Sequence, residues 1–534
     1  MRRPLATLFL LLVSTLLSAQ QPAPAAPRLI VILVVDQMRT DYLERAAPHL
    51  TGGLKRLITD GAWFTEGAYP YLNTVTCAGH STIGTGAFPY HHGMVLNAWW
   101  ERSSGRQRVC TVDESVRNLG HSEPDTEPGD SARWIETPTL GQKVHEAGGR
   151  SVAISLKARA AIPLAGKSAT AVVWQANRTD WVTSTAYSQT KLDWVEKFIK
   201  ANPMTAEGGK VWERALPADQ YSGADAAPGE RFPSRWTSTF PHAVPEGNPR
   251  DFISYWQKTP FADEYLGRMA ATAADALQLG RRGTTDFLAV SFSTLDLVGH
   301  DFGPASHEIQ DMVIRLDRTI GTLLNHLDAT VGRGTYVVAL SADHGVGPMP
   351  EQTEGSGRQG GAQAMAAIDK ALEPFFGPGK YAAAALYTDL YLQPGVLDKL
   401  KADPKATRAV LDALRALPAV EYAFLAEEIS APETRTSSDP VKRAAALSYY
   451  PSRSGDLILV PRRHWLLSTS SATTHGTLQP YDQRVPVIFY GAGVPSGRRT
   501  GAATPADITA TLGALAGVTS FKAPDGKPLI APSR

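Results

Sequence analysis

Five apolar, β-branched runs constrain this chain more than any other feature: Arg28–Val35, Ser151–Leu156, Asp286–Phe292, Tyr336–Ser341 and Val487–Tyr490. Continuous runs of this kind suit strands buried on both faces, the habit of parallel sheets. Between them lie segments with the three-four spacing of amphipathic helices. The clearest is Ile309, Met312, Val313, Leu316, Ile320, Leu323, Leu324 and Leu327, and Phe261–Leu279 and Lys399–Leu417 look similar. Strands alternating with helices predict an α/β fold with a mostly parallel central sheet and helices on both faces. Four of the five runs stop close to polar or ionisable residues: Asp36, then Lys157 and Arg159, then Asp296 and His300, then Asp343 and His344. Open α/β sheets place their sites at such strand ends.

The organisation around this core follows from composition. The chain has 534 residues and a formal net charge of +1, so it allows one large domain or two to three ordinary ones. Its charge balance gives no reason to propose a nucleic-acid or membrane-surface partner. Residues 1–19 read as a secretory signal: Arg2 and Arg3, an apolar Leu5–Leu17, then a small-residue cleavage site at Leu17-Ser18-Ala19. An uncleaved anchor is the other reading. Residues 20–27 form an Ala/Pro linker, and 28–534 are expected to be one catalytic α/β domain. Irregular, Trp-, Pro- and Gly-rich insertions at about 165–255 and 350–470 are expected to cap the strand ends. The mature chain is then periplasmic or secreted. In that compartment Cys77 and Cys110 either form a disulfide or lie buried as two thiols.

The chemistry concentrates in a few stretches. Asn73 to Gly86 is crowded with small residues, and a helix is allowed to start after Thr76. A hydroxyl there faces unpaired N–H groups and the positive end of the helix dipole, a favourable place for phosphate. Asp36, Asp296, His300, Asp343, His344 and His475 supply three carboxylates and three imidazoles near predicted strand ends. Such a mixture suits zinc and other divalent first-row metals. Six ligands are too many for one tetrahedral catalytic site. Shared between two metals roughly 4 Å apart, they leave open positions for a nucleophile and a substrate oxygen.

Thr76 with His80, Asn97 in Leu96-Asn97-Ala98-Trp99, Asp296 with His300, Asp343-His344 and His475 together resemble the alkaline phosphatase superfamily. The nearest likeness is to bacterial phosphate-irrepressible alkaline phosphatases, which sit beside the nucleotide pyrophosphatase/phosphodiesterases. The likeness runs from about Ile30 to Gly491. It implies two zinc ions, one held by Asp296, His300 and His475, the other by Asp36, Asp343, His344 and Thr76. It implies a covalent phosphothreonine at Thr76, with Asn97, Lys157 and Arg159 holding the non-bridging phosphate oxygens. In the family the Lys-x-Arg pair accompanies monoesterase activity and the diesterases lack it. His80 matches a family position that is not a ligand, and is read as a packing or supporting residue.

The resulting expectation is a zinc-dependent phosphomonoesterase, monomeric, acting on small phosphate monoesters. A phosphodiesterase or nucleotide pyrophosphatase on the same frame is the alternative, and a non-catalytic phosphate-binding protein the rival from another class. Cys77 is followed by Ala78-Gly79-His80-Ser81, whereas a sulfatase needs a Cys or Ser followed by Pro and Arg at fixed offsets. His91, His92, His145, His307, His326 and His464 have no supporting company and are expected to be surface or structural.

Overall fold

The computed structural model describes residues 26–532 apart from 126 and 177–178. The expected signal segment, 1–19, and most of the linker, 20–27, lie outside the described residues.

The run from Leu29 to Val35 forms a strand with every residue buried, as its unbroken apolar character requires. Alternate residues serve opposite faces. Leu29, Val31, Leu33 and Val35 join a core with the helices Pro260–Ala276 and His307–Leu327, and Ile30, Ile32 and Val34 join a second core with the helices at Thr76–Thr85 and Ala158–Ala165. This strand pairs in parallel with Asp286–Phe292 on one side and Tyr336–Ser341 on the other. Ser151–Ser155 and then Ala171–Gln175 extend the parallel array. Among the described residues this sheet has 11 strands. The strand next to the five-stranded parallel centre on each side is antiparallel: Val487–Gly491 against Tyr336–Ser341, and Trp181–Ser184 against Ala171–Gln175.

Two stretches that looked irregular contain regular structure. Ala171–Gln175 and Trp181–Ser184 belong to the central sheet, but strands of five and four residues give no periodic signal. Residues 350–470 hold a second, antiparallel sheet in the order Ala382–Leu386, Asp389–Leu392, Leu457–Pro461, Val420–Leu425, with its own apolar core. Its outer strand Ala382–Leu386 is mostly Ala and largely half-buried, so it carries no apolar signal.

The helix expected over Lys399–Leu417 is two helices, Val396–Ala402 and Pro404–Arg415. Asp403 breaks it. Its side chain accepts from the N–H groups of Lys405 and Ala406, and Pro404 occupies the first helical position. Among the described residues no helix is long and apolar enough to cross a membrane.

Candidate active site

The chain delivers its reactive groups to one end of the parallel strands. Asp36 directly follows the first strand, its N–H bonded to the carbonyl of Phe292 at 2.9 Å. Asp296 lies in the first turn of the helix Thr294–Phe302, after the neighbouring strand, and His300 one turn later. Asp343 and His344 follow the strand on the other side. His475 comes from the loop after the second sheet.

Thr76 opens the fully buried helix Thr76–Thr85. Gly79 lets this helix press against the end of the strand Tyr336–Ser341, since a Cβ there would collide with the carbonyl of Asp343. His80 locks the approach. Its Nδ1 lies 2.9 Å from the carbonyl of Thr76 and 3.2 Å from Asp343 Oδ2, and its Nε2 lies 2.8 Å from Ser291 Oγ. Thr76 Oγ1 then sits 3.5 Å from His344 Nε2.

The three other imidazoles are oriented alike. Nδ1 of His300 lies 2.8 Å from the Thr473 carbonyl, that of His344 2.9 Å from the Gly345 carbonyl, and that of His475 2.9 Å from the Thr74 carbonyl. Each therefore donates from Nδ1 and turns Nε2 inward as a lone-pair donor, the arrangement that metal-ligating histidines adopt. Asp36, Asp343 and His344 bring one ligand atom each within 4.8 Å of one another, and so do Asp296, His344 and His475. His300 stands beside the second group, its Nε2 3.2 Å from Asp296 Oδ1. The rings of His344 and His475 stack at 3.4 Å. His344 thus lies between the two trios that the sequence separates.

The donor set fits divalent cations on a second ground. Asp36 Oδ1 is a buried carboxylate oxygen with no hydrogen-bond partner among the described residues. Buried charge of this kind is otherwise costly unless paired or coordinated.

The electrostatics follow from crowding. Burial, with Asp296 and Asp343 close by, pushes the Asp36 carboxyl up to about 7. Burial would also raise Asp296, but Lys157 and His300 hold it well below the usual carboxylate range. Burial would lower His344, and Asp343 and Asp36 instead carry it up to about 9. Burial, with His344 and His300 alongside, keeps His475 well below an ordinary imidazole.

Lys157 is the cation of the site. Its Nζ lies 2.6 Å from Asp36 Oδ2 and 2.5 Å from Asp296 Oδ2, bridging the two trios. Arg159 follows on the first turn of the helix Ala158–Ala165. Its Nε is buried with no hydrogen-bond partner among the described residues. Asn97 accepts from the Cys77 N–H through Oδ1 at 2.9 Å, which leaves Nδ2 as the donor that can turn to a ligand.

Residues 30–484 match the model of the type I phosphodiesterase/nucleotide pyrophosphatase family. The chain belongs to that family. Within it, the chain is 33% identical to alkaline phosphatase PafA of Elizabethkingia meningoseptica over 97% of both chains. It is 31% identical to alkaline phosphatase PhoV of Synechococcus elongatus, over 92% of this chain and 90% of the relative. The crystal structure of wild-type PafA superposes with a TM-score of 0.85 at 31% identity, covering 95% of this chain and 99% of that one. The chain therefore shares the PafA architecture in the alkaline phosphatase superfamily.

This family member carries a supporting residue that its sequence gives no reason to single out. Gln37 donates from its backbone N–H to Asp343 Oδ1 at 3.1 Å and from Nε2 to Asp296 Oδ1 at 2.7 Å. One residue, through its backbone N–H and its side-chain amide, so ties together carboxylates from both trios. It does this in a left-handed conformation, φ 69°, and Gly299 leaves room for its amide. A Gln after a strand-ending Asp has no signature, because its role depends on two partners some three hundred residues away.

Cys77 and Cys110 form a disulfide that links the residue after Thr76 to the segment after Asn97. The Cys110 N–H also bonds the Asn97 carbonyl at 3.0 Å. The bridge therefore fixes the Asn97 amide relative to the Thr76 helix. It closes a separation of 33 residues. The double change Cys77→Ser, Cys110→Ser is expected to cost about 3–4 kcal/mol, read as a lower urea midpoint. An unchanged midpoint would mean that the surrounding packing alone defines this corner.

Proposed function

We propose that the chain is a zinc-dependent alkaline phosphatase that hydrolyses phosphate monoesters through a phosphothreonine at Thr76. The observation that carries this reading is the convergence of three inward-facing Nε2 atoms and three buried carboxylates, with Thr76 Oγ1 3.5 Å from one of those imidazoles.

Asp36, Asp343 and His344, with Thr76, would hold one cation. Asp296, His300 and His475 would hold the other. Zinc in these positions supplies Lewis-acid charge that acidifies hydroxyl groups and stabilises a departing oxygen. The protein's own groups do the rest. Asn97 Nδ2, Lys157 Nζ and the Arg159 guanidinium hold the non-bridging oxygens, as charge-assisted donors in a buried site. Thr76 Oγ1 attacks phosphorus, the P–O bond to the ester breaks, and the alcohol leaves. Water then cleaves the bond between Thr76 and the phosphoryl group, releasing phosphate and restoring the hydroxyl. His80 and Gln37 act as positioning residues, fixing the nucleophile's helix and the carboxylates.

Export to the periplasm or medium is part of the proposal. The charged-then-apolar start of the sequence and the disulfide beside the nucleophile both favour an oxidising compartment.

A diesterase on the same frame is the competing reading, because the matching family model is described as a phosphodiesterase. Comparing p-nitrophenyl phosphate with its bis ester separates the two. The monoester is expected to be the better substrate by at least about 100-fold in kcat/KM, the equivalent of two charged hydrogen bonds. A chelator is expected to abolish turnover and zinc to restore it. A preference for the bis ester would overturn the monoesterase assignment, and full activity after removal of all metal would overturn the metal dependence.

A further inference from the structure

Resting on the phosphatase reading, we infer that Tyr387 is a stacking platform for the leaving group, so that the site favours aryl phosphate monoesters over small alkyl ones. Tyr387 forms the tip of the hairpin between Ala382–Leu386 and Asp389–Leu392. It has φ 52°, a left-handed conformation that a bulky residue adopts only at a cost. It is also 39% exposed, although its neighbours Thr388 and Asp389 are fully buried.

Those neighbours hold the tip in place. Thr388 Oγ1 donates to Asn73 Oδ1 at 2.8 Å, and the Gly455 N–H donates to Asp389 Oδ1 at 2.7 Å. Asn73 is three residues before the nucleophile. The hairpin is therefore bolted to the Thr76 loop, and Tyr387 is carried with it.

The ring lands at the mouth of the site. A Cβ on Gly476 would lie 3.7 Å from Tyr387 Cδ1 and 3.2 Å from Val75 Cγ1. Gly476 follows His475, and Val75 precedes Thr76. His475, Gly476, Tyr387, Trp465 and Leu466 line one narrow groove. Attack by Thr76 sends the ester oxygen away from that hydroxyl, toward His300 and His475. A ring joined directly to that oxygen then emerges at Tyr387. A methyl or glycerol group is too small or too polar to gain from the contact, whereas an aromatic pair gains from stacking.

The test uses non-hydrolysable ligands, so that leaving-group reactivity plays no part. Phenylphosphonate and methylphosphonate are measured as competitive inhibitors of the holoenzyme. Wild type is expected to bind the phenyl compound about five- to tenfold more tightly. Tyr387→Phe is expected to keep that ratio. Tyr387→Gly is expected to bring it near one, and to melt no lower than wild type, because glycine accepts the left-handed backbone without strain. A ratio that survives in Tyr387→Gly, or a wild-type ratio of one, overturns the inference while the phosphatase reading stands. If the holoenzyme turns over no phosphoester and neither phosphonate binds, the phosphatase reading itself fails, and this inference with it.

Discussion

Thr76→Ala is expected to lower phosphate monoester turnover by about 10⁴-fold or more, since it removes the proposed nucleophile from a site whose other groups act only around it. The neighbouring hydroxyls do not substitute. Ser291 Oγ is engaged with His80, and Thr82 Oγ1 with Tyr71 and His92. The loss should be catalytic rather than structural. Thr76 Oγ1 makes one long contact, 3.5 Å to His344, so the variant leaves no strongly bonded partner stranded. Its stability should stay within about 1 kcal/mol of wild type. Thr76→Ser keeps the oxygen and gives up only the methyl that restricts the rotamer, so it should retain most of the activity. Acid-quenched wild type should carry phosphate on residue 76, and the alanine variant none. An alanine variant within tenfold of wild type would mean that water attacks the ester directly.

The parts of this site that were legible in sequence are those where one residue sits immediately after a buried strand. Asp36, and the Asp343-His344 pair, fall there because a parallel strand with two covered faces must be an unbroken apolar run, and the run's end marks the place. The Thr76 helix was legible for a related reason, its small residues being what close packing demands. The distribution of ligands was less so. His344 stacks on His475 and contributes to both compact trios, a consequence of loop geometry that spacing cannot express. Gln37 and Tyr387 were invisible. Both matter through a left-handed backbone conformation, and that conformation is imposed by distant partners: Asp296 and Asp343 for one, Asn73 and Gly455 beyond the hairpin for the other. The antiparallel second sheet is not legible because its strands are short and partly Ala-rich.

Replacing Lys157 and Arg159 together with Ala is expected to reduce kcat/KM for a monoester by about 10²- to 10³-fold and for a diester by less than about tenfold. The difference comes from charge. A monoester dianion offers three non-bridging oxygens, a diester monoanion only two, so the diester has less to gain from two cationic donors, each worth about 1.5–3 kcal/mol. Lys157 alone is an ambiguous probe. Its Nζ also bridges Asp36 and Asp296, so Lys157→Ala removes the counter-charge of two buried carboxylates as well as a phosphate donor. Measuring bound metal in that variant separates the effects: unchanged content assigns the loss to substrate, and altered content assigns part of it to the carboxylates. Arg159→Ala is the cleaner change, because Arg159 Nε has no hydrogen-bond partner among the described residues. It should raise KM for the monoester about tenfold or more and leave metal content alone. Equal losses on both ester classes in the double variant would show that these residues do not select the monoester. The preference would then have to arise from the shape of the site around Asn97 and Tyr387.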